Sequence, residues 1–347
     1  MAQSPSNIVV ATTNKVLTKT LIDIVLDGNT GLTYFLAASK AWNGGRTHQE
    51  PIWVTKNTLG GSYYGMDTFA VQELDLNQVA EWDASFYDKP VTLSGVNITL
   101  NENTGQQALN LVDISITQAM YSMADDLGTG FYSDGTGNSN KDLLGLGAAI
   151  DDGTLVATYG GLSRTTYTDW ASPQTASGGT LTLAKMATEY SDASNGGSVH
   201  PTLILTTKAV FNLYEQLLQP TLRQMVDVPM IKRGLLMGTG VTTDGLRYRG
   251  CPVMQDEKCT SGVMFFINER FMDIAALPDS SLGKKPINFK ARIAGDDYSD
   301  VKGLGFTWSD WIKAQNGNSA TGAVYWGGQL VCNNPRRQSK LTGITSV

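Results

Sequence analysis

TGQQALNLVDISITQAMYSMADDLGTG, residues 104–130, decides which class of fold this chain takes. Apolar residues recur at Leu109, Val112, Ile116, Ala119, Met123 and Leu127, steps of three or four that draw one stripe along a helix. Thr104 and Gln107 stand at capping-box spacing, where a hydroxyl and an amide can satisfy free N-terminal amides. The pattern predicts a rod over residues 104–127, roughly 36 Å long at about 1.5 Å per residue. Gly128 and Gly130 are expected to end it.

Upstream the periodicity is different. Residues 1–43 have no sustained period and read as an extended arm; residues 44–95 read as a long hairpin with a flexible tip, LGGSYYGMD. In the return strand Ala80, Trp82, Ala84 and Phe86 alternate with Glu81, Asp83, Ser85 and Tyr87, the period of two of a strand with one buried face. A two-stranded ribbon is marginal alone in water, so this apolar face must pack on something, and a neighbouring subunit is one candidate.

Downstream, a helix is expected over residues 181–193, then a strand TLILTT, then a helix through Val210, Phe211, Tyr214, Leu217 and Leu218 stopped by Pro220. Strands follow near 246–254 and 263–267, and again in FTWSDWIKAQ and AVYWGGQLVCNNPRRQ. Helices and strands are segregated, which makes the class α+β.

Composition narrows function. The 347 residues are only 17% charged and carry 26 − 32 = −6, which argues against a binder that works through a basic face on nucleic acid. Cys251, Cys259 and Cys332 are an odd number at spacings that match no zinc or haem pattern. No basic start leads into an apolar run, and no run approaches the ~18 residues of a membrane span.

Catalytic motifs are missing from the sequence. The G-x-G pairs at Gly128, Gly145, Gly238 and Gly303 lack the third glycine of a dinucleotide loop; there is no Walker loop and no G-x-S-x-G elbow. Two histidines, His48 and His200, cannot build a multi-histidine metal site. Asp134, Thr136, Asn138, Asn140 and Asp142 alternate like calcium ligands but lack the glycine and glutamate such loops need, so a solvated turn is expected. The acidic pairs Asp125/Asp126 and Asp151/Asp152, with the cluster Asp296/Asp297/Asp300, read as solvated surface, and Lys232/Arg233, Lys284/Lys285 and Arg336/Arg337/Lys340 as interface cations. No enzyme, cofactor or metal is expected.

Five segments in order carry a resemblance: GGRTHQEPIWVTKN with SYYGMD, SGVNITLNENTGQQALNLVD, FYSDGTGNSNKDLLGLGAAID, YGGLSRTTYTDW, and GLRYRGCPVMQDEKCTSGVMFFIN. Together they resemble the major capsid proteins of tailed bacteriophages, the HK97-type fold. The resemblance implies an N-terminal arm over 1–43, an extended loop over 44–95, a peripheral domain over 96–180 with its spine helix at 104–127, an axial domain over 181–277, and a return to the peripheral domain over 278–347. It also implies a subunit that assembles with itself into hexamers and pentamers of an icosahedral head around double-stranded DNA, assembled in the host cytoplasm. The partners it implies are a separate scaffolding protein, a portal and, in some shells, a decoration protein, with no membrane. An encapsulin-type compartment is the alternative within the same fold, and a hydrolase with an unrecognised site the alternative outside it.

Some shells of this type cross-link a lysine to an asparagine beside a glutamate. Lys56 and Asn333/Asn334 are present, but no glutamate follows Glu269, and no cross-link is expected. The residues expected at the subunit interface are Arg46, Glu50, Lys56, Tyr63, Tyr64, Asp67, Trp82, Phe86 and Arg164. Polar residues at a rim set register and partner choice more than affinity.

Overall fold

A computed structural model describes residues 29–42, 44–69, 71–102, 111–197, 199–218, 230–232, 235–237, 246–277, 285–286, 289–292, 298–301, 305–309, 311–315 and 317–346. In chain order the main elements are helix α1 (Thr30–Leu36), strands β1 (Thr47–Trp53), β2 (Asn77–Asp83) and β3 (Ser85–Ser94), and helices α2 (Gly95–Glu102), α3 (Leu111–Phe131) and α4 (Leu183–Ser194). Strand β4 (Leu203–Thr206), helix α5 (Lys208–Leu218) and strands β5 (Cys251–Gln255), β6 (Met264–Ile267), β7 (Met272–Ala276), β8 (Ser319–Cys332) and β9 (Ser339–Leu341) complete them.

The long strand β8 organises a seven-stranded sheet. Strand β3 runs antiparallel along one side of it, from Ser94 opposite Ser319 to Ser85 opposite Gly328, and β7 pairs its final residues on the other side. Helix α3 covers the inner face through Met123, Leu127 and Phe131, all buried. The second sheet has six strands, with β5, β4, β6 and β9 at its centre. Its strands are apolar runs rather than alternations because both faces are covered. Leu203, Leu205, Phe265 and Ile267 point into the core shared with α1 and α3, while Ile204, Met264 and Phe266 point into a second core under α4 and α5. One sheet is thus the wall between two cores.

Within residues 29–42 the chain forms helix α1 where an extended segment was expected. Leu32, Tyr34, Phe35 and Leu36 are at most 2% exposed. The Gly31 N–H and the Tyr132 hydroxyl both donate to Asp256 Oδ2, at 2.7 and 2.9 Å. A helix buried all round carries no amphipathic period, so its sequence gave no sign of it. Residues 1–28 of the expected arm lie outside the described residues, as do the capping box at 104–107 and Pro220.

Helix α3 runs through the glycines expected to end it. A Cβ on Gly128 would lie 2.5 Å from Asn29 Oδ1, and one on Gly130 would lie 2.9 Å from the Tyr87 hydroxyl. These glycines therefore allow close approach of neighbours and do not break the helix. Two further boundaries shift. The hairpin closes at Asp83, and residues 85–94 belong to the seven-stranded sheet. Residues 339–346 leave that sheet: Met264–Phe266 of β6 pair with β9, which itself pairs with Gln174–Thr175, and Ile344–Ser346 pairs with Gly179–Thr180.

Candidate assembly surface

The hairpin has two unlike faces. Antiparallel register sets His48 opposite Trp82, Glu50 opposite Ala80 and Ile52 opposite Gln78 on one face, with Pro51 opposite Val79 and Trp53 opposite Asn77 on the other. The first face packs on its own chain. Trp82, 1% exposed, stands edge-on to Tyr159 at 5.8 Å, and the Glu81 N–H donates to Gly160 O. Gly160 has φ +56, and a Cβ there would come within 3.0 Å of the indole. Trp82 is therefore an internal anchor, which corrects its placement at a subunit interface.

Phe86 does not share the face of Trp82. The alternation that buries Ala80 and Trp82 breaks at Ala84, where β2 gives way to β3, and Ser85 turns inward instead. Phe86 is left 67% exposed, lying over Gly327 on the outer face of the large sheet. It remains available to a neighbour, without the shared face that alternation suggested.

Among the described residues, the outer face and tip of the hairpin hold most of the large apolar side chains left in water. Trp53 is 72% exposed, Tyr64 91% and Met66 102%, with Tyr63, Phe69, Val71 and Val79 also exposed. The tip is a built turn: Asp67 Oδ2 accepts the Tyr64 N–H at 2.8 Å, and Tyr63 meets Phe69 edge-on at 5.0 Å. Arg46 and Lys56 are exposed, while Glu50 is half-buried with Oε1 3.3 Å from His48 Nε2. At ~200 Å² per aromatic side chain, Trp53, Tyr63, Tyr64 and Phe69 leave roughly 600 Å² uncovered. That is the size of the largest patch on an ordinary monomer, concentrated on one projection.

Arg164 lies at the centre of a charged lock inside the chain. Its side chain is fully buried and donates to Val156 O and Ala148 O at 2.8 Å and to Ala149 O at 3.0 Å, with its guanidinium over the Tyr159 ring. Asp151, also fully buried, lies 3.7 Å from Arg164 and accepts from Lys340 Nζ at 3.0 Å and from the N–H groups of Gly153, Leu155 and Val156. Burial alone would raise the Asp151 pKa, but the Val156 N–H, the Lys340 ammonium and the Gly153 N–H outweigh it and hold the carboxyl below its ordinary value. Burial likewise lowers the Arg164 and Lys340 pKa values, with Asp151 opposing it. Three residues read as surface, Arg164, Asp151 and Lys340, are thus one internal network. It ties the 148–172 segment to β9.

Between the tip-side end of β1 and the turn after β8 lies an open cleft of about 390 Å³. It is lined by Ile52 to Lys56, by Asn333, Asn334, Arg336 and Arg337, and by Asp169, Trp170 and Asn195. Lys56 and the two asparagines considered for cross-linking thus share one cleft. Arg336 pairs with Asp169, and Arg337 donates to Ser194 O. Elsewhere, Asp125 and Asp126 pair with Lys258 and Lys89. Asp134 caps the Thr136 N–H, and Asn138, Ser139 and Asn140 all have positive φ, a left-handed turn. No cluster of three metal-ligating side chains occurs among the described residues. Among them, no helix is long and apolar enough to cross a membrane.

No protein-family model matches the chain, and no curated protein matches its sequence. Solved structures do match it in fold. The capsid asymmetric unit of cyanophage A-1(L) superposes with a TM-score of 0.72 at 20% identity, covering 96% of this chain and 97% of that one. The chain has the phage-capsid fold. The subunit of the native GTA particle capsid matches this HK97-type architecture with a TM-score of 0.57 at 10% identity, over 95% of each chain. The holo-SrpI encapsulin complex from Synechococcus elongatus PCC 7942 matches at 0.56 and 12%, over 95% of this chain and 92% of that one. The mixed α+β class and the HK97-type architecture expected from the sequence are both borne out.

Proposed function

We propose that this chain is the major capsid protein of a tailed phage, assembling with itself into hexamers and pentamers of an icosahedral head that encloses double-stranded DNA. The observation that carries the reading is the hairpin: a chain with two finished cores sends its outer aromatics into solvent on a two-stranded ribbon. Burying roughly 600 Å² at ~25 cal/mol per Å² yields about 15 kcal/mol before the costs of association. A neighbouring copy is the natural cover. The full-length likeness to the cyanophage capsid subunit supports the same reading.

In this reading residues 47–83 are the extended loop and α3 is the spine helix. The seven-stranded sheet with α3 forms the peripheral domain, and the six-stranded sheet with α4 and α5 the axial domain. A separate scaffolding protein, a portal and, optionally, a decoration protein complete the head. Assembly takes place in the host cytoplasm and the protein ends in the virion. The shell needs no cofactor from this chain and performs no catalysis. Packaged DNA is held without sequence-specific contacts, consistent with a net charge of −6.

An encapsulin-type compartment is the second reading, favoured by the match to the encapsulin subunit, although that match has the lower TM-score. Expression of the chain with negative-stain microscopy tests both: closed shells are expected, and a compact monomer at every concentration refutes them. Shells formed during infection should hold double-stranded DNA; an enzyme cargo without DNA assigns the compartment instead.

A further inference from the structure

The cleft beside the tip-side end of β1 is positive on a chain that is negative. Lys56, Arg336 and Arg337 line it with one carboxylate, Asp169, so 3 − 1 leaves two positive charges where the whole chain carries −6. The chain itself fixes both guanidinium groups: Arg336 pairs with Asp169 and donates to Asn195 Oδ1 at 3.4 Å, and Arg337 donates to Ser194 O. A guanidinium carries five N–H donors, so both keep donors in reserve. Lys56 is exposed and, among the described residues, makes no ion pair.

Charge is only half of the lining. Ile52, Val54 and the indoles of Trp53 and Trp170 share the same cleft. Trp170 is 3% exposed and Trp53 72%, so the ring open to a ligand is that of Trp53. A bare inorganic anion would leave this apolar part wet, and a purely apolar ligand would leave the cations unanswered. A phosphate joined to one flat aromatic group satisfies both. At about 390 Å³ the cleft falls in the lower part of the ~300–1,000 Å³ range of small-molecule sites, with room for a single nucleotide.

We infer that the cleft binds a mononucleotide, its phosphate held by Lys56, Arg336 and Arg337 and its base against the Trp53 indole. Guanidinium forks match phosphate oxygens in pairs, which fixes the phosphate end. Stacking on an indole tolerates any base, so the site selects a phosphorylated base without selecting which one. The site is complete within one copy, and the inference goes beyond the shell reading without resting on it.

The test titrates the full chain with adenosine 5′-monophosphate, adenosine and inorganic phosphate by isothermal calorimetry. The monophosphate is expected to bind at least about tenfold more tightly than either of the others, because each of them offers only half of the ligand. Lys56→Gln and Trp53→Leu should each weaken it by about fivefold to tenfold, with far-ultraviolet circular dichroism unchanged. Lys56→Arg keeps the charge and should stay within about threefold of wild type. No heat with the monophosphate up to about 5 mM overturns the inference, since that is the weakest range in which a built site would bind. Adenosine or inorganic phosphate binding as tightly as the monophosphate overturns it, as does either weakening substitution at wild-type affinity. A single-stranded oligonucleotide that binds about a hundredfold more tightly than the monophosphate assigns the cleft to a polymer and overturns it too. Shell formation is read separately by microscopy, so none of these titrations bears on it.

Discussion

Replacing Arg164 separates an internal role from a surface one. Its guanidinium supplies three hydrogen bonds of 3.0 Å or less to the carbonyls of Val156, Ala148 and Ala149, and it faces Asp151 at 3.7 Å with no solvent access. Arg164→Met fills most of the volume but leaves those carbonyls unpaired and Asp151 with Lys340 as its only cation. Removing one member of a buried charged set costs about 3–5 kcal/mol. With a urea m-value of ~3 kcal/mol/M or more for a chain of this size, the unfolding midpoint should fall by about 1 M. Arg164→Lys keeps the charge but loses the planar fork, and should cost roughly half as much. Urea unfolding of dissociated subunits, followed by the fluorescence of the nearby Trp82 and Trp170, reads the difference. A rim arginine would cost under ~0.5 kcal/mol. Failed shell assembly with a midpoint unchanged to within 0.2 M or so would refute the internal lock and restore Arg164 to the interface.

Four further outcomes are expected. Trp53→Ser should leave subunit stability within about 0.5 kcal/mol but weaken assembly strongly, since roughly 150 Å² of indole at ~25 cal/mol per Å² represents about 4 kcal/mol per contact; unchanged assembly by light scattering refutes it. Gly128→Ala should destabilise by about 1–3 kcal/mol in urea although alanine favours helix, because the new Cβ meets Asn29 Oδ1 at 2.5 Å. Asp151 has a folded pKa below its unfolded value, so its contribution is present above about pH 4 and lost as pH falls through the folded value; Asp151→Asn should flatten the acid limb of the stability profile. Glu189 has the opposite sign: burial raises its pKa, with a Thr175 hydrogen bond opposing, so stability falls as pH rises from about 4.5 through the folded value, and Glu189→Gln should abolish that decline.

The sequence was most legible where one face is wet. The stripe Val112, Ile116, Ala119, Met123, Leu127 locates α3 because its far side meets solvent, and Ala80 with Trp82 locates β2 for the same reason. Legibility failed where burial is complete or where partners come from far along the chain. Helix α1 shows no period, being covered all round, and the inward turn of Arg164 depends on Asp151 and on Lys340, which arrives only with β9. The separation of Phe86 from the face of Trp82 was not legible, because a break at Ala84 cannot be distinguished, in a string of alternating residues, from one continuous strand. At the candidate assembly surface, the tip aromatics were visible in SYYGMD, whereas the cleft was not: its walls lie nearly 300 residues apart in the sequence.

The placement of β9 also constrains timing during synthesis. Its pairing with β6 and with Gln174–Thr175 closes a sheet whose other strands emerge much earlier, and Lys340 completes the lock around Asp151 in the same step. Until the ribosome has released residue 341, the wall between the two cores has an open edge and the Asp151 carboxylate lacks its ammonium. A polypeptide not yet made through residue 341 therefore cannot offer neighbours the finished outline, and the topology itself delays association until that strand has emerged.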